Sequence, residues 1–258
     1  MRGWIAGAAL AFLLVAAGTA RATHASAIVR LVDVGSGANE AWIFAPEEPP
    51  VCELVFLHDE GELSPDRYTA WLSHVAVGDH CVVVFPRYEK AAGASPAADL
   101  RAIRTTFAEA QSFLESSSFG AQREHAATRL PLVAGGFGTG ATLALTIAAE
   151  SARLHLPRAV ALDAVFPVAT RSIALPATRL RASVRVLAEF GDRDRVAGSA
   201  SAHRVRRYLA THPASHRQIM VVHSNGGLAA VHGAPLGQSA GAQLSFWQPL
   251  DILLTDVS

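Results

Sequence analysis

The sequence predicts an α/β domain, a mostly parallel sheet of eight strands with helices on both faces. Three observations carry that prediction. From Ile28 onward, short apolar runs of β character alternate with helix-like stretches. Ser-Pro pairs and isolated serines mark helix starts between those runs. Half of the 258 residues are hydrophobic, which suits one globular domain with a sizeable core and argues against a disordered chain.

Taken in order, the expected strands are IVRLVDV, AWIFAP, ELVFLH, CVVVFP, LPLVAGG, RAVALDAV, SVRVLAEFG and RQIMVVHS. Ser64-Pro65 is expected to open a helix ending at Gly78, Ser95-Pro96 one running past Phe113, and Ser199 or Ser201 one ending near His212. A fourth helix is expected from Thr139, and a fifth after Leu236, interrupted at Pro249 because proline lacks the N–H that a helix interior needs. Only ATRSIALPATRL separates the strands ending near Val165 and starting near Ser183, which leaves no room for a large lid.

The first 25 residues read differently. Arg2 supplies a positive start, Trp4 to Gly18 an apolar stretch, and Ala22 or Ala25 a small-residue cleavage position, the pattern of an export signal. The alternative is an uncleaved anchor, but the stretch is shorter than the roughly 20 residues that span a bilayer. Residues 26–258 are then one domain. Without Arg2 and Arg21 the chain keeps 20 basic against 22 acidic residues, so no concentrated basic face points to nucleic acid or an anionic membrane.

Cys52 and Cys81 each stand at the start of a β-like run. On adjacent parallel strands they would lie at one end of the sheet, where export permits a disulfide; two buried free thiols are the alternative.

The turn GGFGTGAT, residues 135–142, follows the fifth run and has two readings. As Gly136-x-Gly138-x-x-Ala141 it fits a dinucleotide fingerprint, with Asp163 ending the next strand as a ribose partner. Against this, the turn follows the fifth strand instead of the first. As Gly136-Phe137-Gly138-Thr139-Gly140 it has the G-x-S-x-G frame of a nucleophile turn, with glycine where serine belongs.

On the second reading the chain from Ile28 onward resembles the α/β-hydrolase superfamily, in particular lidless secreted esterases and dienelactone-hydrolase-like or polyester-hydrolase-like proteins. VFLHDEGE resembles the strand and turn that give one oxyanion N–H, GDRDRV the turn that presents the acid, and HSNGGLAAVHGAP the loop bearing the histidine. The order nucleophile, acid, histidine agrees with that fold. The resemblance implies Gly138 at the nucleophile position, Asp194 as acid, His232 as base, and the N–H groups of Glu60 and Thr139 as oxyanion donors. It calls for no cofactor, and for an ester or another small hydrophobic ligand in the cleft.

Gly138 has no reactive atom, so the resemblance implies an ester-hydrolase descendant with its nucleophile missing. Asp59 after His58 and Phe137 before Gly138 are further departures. The Thr139 hydroxyl is expected to cap its helix, and water activated by His232 is a slow alternative route. Asp194 and His232 have plainer readings as loop residues, and His58 as a structural donor. Gly237-Gln238-Ser239-Ala240-Gly241 spells G-x-S-x-G, but it follows no strand, so Ser239 is expected to be a cap. The eleven histidines show no metal-binding spacing, and no metal is expected. A non-catalytic binding or scaffolding protein and a dinucleotide-dependent oxidoreductase are the other function classes in play.

Overall fold

The computed structural model describes residues 29–89, 95–116 and 130–258. The expected export signal lies outside them. Among the described residues no helix is long and apolar enough to cross a membrane.

All eight expected strands form: β1 (Arg30–Val34), β2 (Ala41–Ala45), β3 (Cys52–Leu57), β4 (Cys81–Pro86), β5 (Leu132–Phe137), β6 (Ala159–Val165), β7 (Arg185–Gly191) and β8 (Arg217–Val222). They make one sheet in the order β1-β2-β4-β3-β5-β6-β7-β8. β2 runs antiparallel to both neighbours, and β4, β3 and β5 to β8 are parallel. Every residue of β3, β4 and β5 is buried, as parallel strands covered on both faces require.

Alternation along the strands sorts the core into two layers. Val55, Leu57, Ala134 and Leu162 face α2 (Pro96–Glu115), α3 (Thr139–Glu150) and α4 (Gly198–Leu209). Leu54, Phe56, Val83 and Val133 face α1 (Thr69–Gly78) and the C-terminal α5 (Gln248–Thr255). The link from β6 to β7 carries no helix or strand.

Helix starts were read less well than strands. Ser95 does cap α2, its side chain accepting from the Ala98 N–H. Ser64-Pro65 instead makes a turn, with the Tyr68 N–H bonded to the Pro65 carbonyl and the Ser64 hydroxyl spent on Asp66, and α1 starts only at Thr69. Neither Ser199 nor Ser201 caps α4. Ser201 lies inside it, buried, and its hydroxyl holds the Ala169 backbone. The interruption expected at Pro249 takes the form of a π-helical stretch, Gln243–Trp247, just before the proline; widening the turn absorbs the missing donor.

Cys52 and Cys81 are register partners on β3 and β4, their Cα atoms 4.6 Å apart, and they form a disulfide. A loop of that span stabilises a fold by about 3 kcal/mol.

The α1 side of the core also holds two carboxyls that pack as if they were apolar. Asp163 on β6 and Glu189 on β7 are fully buried, and none of their four oxygens has a hydrogen-bond partner among the described residues. Burial pushes Asp163 up to about 8; burial and then the neighbouring Asp163 push Glu189 far above the usual carboxylate range. Both are protonated at neutral pH. The folded chain therefore keeps protons that the unfolded chain releases from about pH 4 upward, and stability falls as pH rises toward 8. Asp163→Asn removes one of these titrations. Its denaturant midpoint should fall less between pH 5 and pH 8 than that of the unsubstituted protein; an equal fall would show that this pair does not set the slope.

Candidate active site

Four chain segments converge at the C-terminal ends of β3, β5, β7 and β8. Each is shaped by a local requirement.

At the end of β5 the chain bends sharply into α3. Gly138 is the bend, with φ 61° and ψ −120°, a region that side-chain-bearing residues enter only under strain. The bend is tight because α3 starts directly against β3: a Cβ on Gly140 would stand 2.2 Å from the carbonyl oxygens of Leu57 and His58. The Thr139 N–H is thereby the first of α3 and points out of its positive end.

After β3, residues 58–62 form a braced turn. The His58 ring stacks on Tyr88 at 4.1 Å, its Nδ1 donating to the Asp59 carbonyl. Burial, only partly offset by that bond and by the Asp59 charge, lowers its pKa to about 4, so it is neutral. The Tyr88 hydroxyl donates to the His58 carbonyl, the Gly61 N–H to Glu89, and the Asp59 N–H to the Tyr68 hydroxyl, which in turn donates to Glu62. Tyr68, Tyr88, Glu62 and Glu89 were missed in the sequence, where nothing in their spacing marks them.

After β7, the turn bearing Asp194 is closed by Asp194 itself, whose Oδ1 accepts from the N–H groups of Val196 and Ala197. Its other oxygen, Oδ2, lies 3.0 Å from His232 Nδ1. The plain turn reading and the acid reading of Asp194 thus describe its two oxygens. The loop after β8 is tied to the β7 turn through the Arg193 N–H to the Ala230 carbonyl, and through Ser224 to Asp192. These ties fix His232 over Phe137, with ring centroids 4.7 Å apart.

Gly138, Asp194, His232 and the Thr139 N–H therefore come together as expected. The addition is Asp59. Its Oδ1 accepts from the Thr139 N–H at 2.8 Å and from the Thr139 hydroxyl at 3.1 Å, and its Oδ2 lies 2.9 Å from His232 Nε2. The hydroxyl of Thr139 thus reaches this carboxylate instead of capping α3, which Gly138 caps. A Cβ built on Gly138 would lie 2.1 Å from Asp59 Oδ1 and 2.2 Å from its Cγ. The Asp59 carboxylate stands where a side chain at 138 would be.

The charges follow from that geometry. Burial opposes ionisation of Asp59, but hydrogen bonds from His232, Thr139 and the Glu60 N–H together hold its pKa below the usual carboxylate value. The two N–H groups expected to receive an oxyanion both serve this carboxylate. Burial likewise opposes the charge on His232, yet the bonds and charges of Asp194 and Asp59 outweigh it and push the pKa up to about 9. At neutral pH the centre is an imidazolium between two carboxylates. Only 15% of the His232 side chain and 16% of that of Asp59 is exposed.

Other expectations meet the structure away from this centre. Asp163 lies inside β6, fully buried, where it cannot reach a ribose, and this removes the partner that the dinucleotide fingerprint requires. Ser239 caps the C-terminal helical segment, accepting from the Ala242 N–H. A cavity of about 1150 Å³ is lined by residues such as Val34, Phe107, Phe113 and Leu156 and does not reach Asp194 or His232. His74, Asp79 and Asp251 bring three potential metal ligands together just before β4, at the opposite ends of the parallel strands. There burial and then the Asp251 charge push Asp79 up to about 7.

No protein-family model matches the chain, and no curated protein matches it by sequence. Solved structures do. Carboxyl esterase 2 of the mycorrhizal fungus Tuber melanosporum superposes with a TM-score of 0.62 at 11% identity, over 91% of this chain and 89% of that one. A thermostable esterase of Pseudomonas putida gives 0.64 at 13% identity, over 91% and 84%. A dienelactone hydrolase-like promiscuous phosphotriesterase from metagenomic libraries gives 0.55 at 15% identity, over 89% and 98%. At these identities the likeness is one of architecture, and with the strand order and the bend at Gly138 it identifies the fold of this chain as that of the α/β-hydrolases.

Proposed function

We propose that the chain is an exported protein of carboxylic-ester-hydrolase descent in which serine-type acyl transfer has been lost. The observation that carries this reading is the Asp59 carboxylate lodged in the place of a side chain at 138, bonded at once to the Thr139 N–H and to His232.

Each part of the serine mechanism is affected. Gly138 supplies no nucleophile. The donors that would receive a substrate oxyanion are engaged by a resident negative charge. Two unit charges about 4 Å apart at an effective dielectric near 20 repel by about 4 kcal/mol, roughly a thousandfold in rate. His232 holds its proton to about pH 9, so it cannot act as a general base toward water near neutrality. The Thr139 hydroxyl is directed at Asp59 and is not free to attack. The small-molecule partner is accordingly a ligand that meets this ion pair, not an ester turned over by serine chemistry. Export is supported by the Cys52–Cys81 bond.

Short activated esters test the reading. The unsubstituted protein should hydrolyse p-nitrophenyl acetate no faster than His232→Ala. Gly138→Ser alone should gain nothing, because its Cβ would stand 2.1 Å from Asp59 Oδ1. Gly138→Ser with Asp59→Gly should gain at least about a hundredfold, against the roughly 10⁶ that loss of a serine nucleophile costs. Ester turnover by the unsubstituted protein, abolished by His232→Ala, would refute it.

The imidazolium is tested separately. Its pKa is raised in the folded state, so the stability it contributes is full below about pH 6.5, declines above that and is gone beyond about pH 9. By NMR the His232 ring should titrate near 9, and at clearly lower pH in Asp59→Asn. A ring titrating near 6.5 in the unsubstituted protein would contradict the ion-pair description.

A further inference from the structure

We propose that the cleft between α4 and the link from β6 to β7 binds a phosphomonoester, a phosphate dianion carried on a compact, partly apolar body. This binding is separate from the centre at Asp59 and independent of its chemistry.

The near-neutral composition predicts no basic face, yet the fold segregates the charge. Residues 166–217 hold ten arginines and only three acids, Glu189, Asp192 and Asp194. Each acid is engaged elsewhere. Glu189 is protonated and fully buried in β7, Asp192 is bonded to Ser224, and Asp194 to its own turn and His232. The exposed side of α4 presents His203, Arg204, Arg206 and Arg207, and no acid. Arg204 and Arg207 stand one turn apart, where like charges repel, so the helix carries a cost that a bound anion would relieve.

Three of these guanidiniums, on Arg179, Arg204 and Arg207, line a cleft of about 430 Å³. Each is held by a partner without charge. Arg204 donates to the Ala169 carbonyl at 2.8 Å, and Arg179 to the Tyr208 carbonyl at 2.7 Å while lying over the Tyr208 ring. Arg207 donates to His203 Nε2 at 2.8 Å, a nitrogen that must be bare because a guanidinium cannot accept. Among the described residues none of the three has a carboxylate partner, and Glu150, whose charge reaches Tyr208, is bonded to Arg153. The guanidiniums are therefore oriented without being neutralised. Such prior ordering lowers the entropy lost when an anion binds.

The lining selects the ligand. Three guanidiniums match an oxyanion with nearly two charges and three acceptor oxygens, as a phosphomonoester has, better than a carboxylate with one charge and two oxygens. The cleft is also lined by Ala174, Leu175 and Pro176, so the group that carries the phosphate meets apolar surface. Its volume lies near the small end of the range for small-molecule sites, roughly 300 to 1,000 Å³, which favours a compact ligand over a polymer.

The test is calorimetric titration of the full chain with phenyl phosphate at about 0.15 M salt, where exposed charges are screened beyond about 8 Å. One phenyl phosphate should bind per chain, and benzoate at least about tenfold more weakly. Arg207→Ala, which removes no bond to the backbone, should weaken phenyl phosphate at least about tenfold, and Arg204→Ala should do the same. Arg206→Ala removes an equal charge on the same helix but outside the cleft, and should cost less than about threefold. His232→Ala should change nothing. No binding by the folded unsubstituted protein, or equal losses from Arg206→Ala and Arg207→Ala, overturns the proposal, the second result being that of a diffuse positive surface. A loss with His232→Ala in place of Arg207→Ala puts the ligand at the ion pair and overturns it too. The ester assays on Gly138→Ser with Asp59→Gly do not involve the cleft, so the loss of serine chemistry stands or falls apart from it.

Discussion

One carboxylate organises this site. Asp59 joins the positive end of α3 to an imidazolium and through it to Asp194, so charges from the β3, β5, β7 and β8 ends are linked in one chain of hydrogen bonds. Partial burial makes each link stronger than it would be in water and makes an unpaired member costly. The protonation of His232 follows from this arrangement, because the imidazole has a carboxylate on each ring nitrogen.

The scaffold around the carboxylate restricts its movement. Its backbone is gripped from below by Tyr68, which passes the hydrogen bond to Glu62, and the preceding residue is fixed by the Tyr88 stack and hydroxyl. Tyr68 is buried among rings that include Phe85 and Phe137, in the apolar layer that α1 covers, and Tyr88 is buried in the opposite layer. The turn is thus anchored in both layers, but Tyr68 ties it to the α1 side. The Cys52–Cys81 bond and the interior carboxyls Asp163 and Glu189 lie on that side of the sheet too, but farther from the strand ends that carry Asp59 and His232.

How much of this was legible in the sequence depends on the range of the interaction involved. The eight strands were legible because buried parallel strands are written as continuous apolar runs. The bend at Gly138 was legible because only a few local sequences allow β5 to turn so closely into α3. Asp194 and His232 were legible through spacing and order. What failed depended on where a side chain points. Ser64, Ser201 and Thr139 all read as caps, yet each hydroxyl has a better partner, in Asp66, the Ala169 backbone and Asp59 respectively. Asp163 read as a ligand at a strand end, though its place inside β6 buries it. Asp59 was visible as a departure, but the three partners of its carboxylate come from residues 80 and 173 positions away and from its own turn. No local pattern encodes that convergence.

The two departures at 59 and 138 are physically one. With aspartate at 59 in its present rotamer, a Cβ at 138 has no room; with glycine at both positions, His232 Nε2 and the Thr139 N–H would face an empty seat and lose their common partner. Glycine at 138 also relieves the strain that a side chain would carry at φ 61°, so the pair removes one cost and fills the space it leaves. A serine at 138 and an aspartate at 59 are therefore alternatives for the same few ångströms of space, and exchanging only one of them yields neither arrangement. That mutual exclusion, more than the absence of a hydroxyl, separates this site from one built for serine chemistry, and it places a carboxylate on β3's turn while leaving Asp194 and His232 where the fold put them.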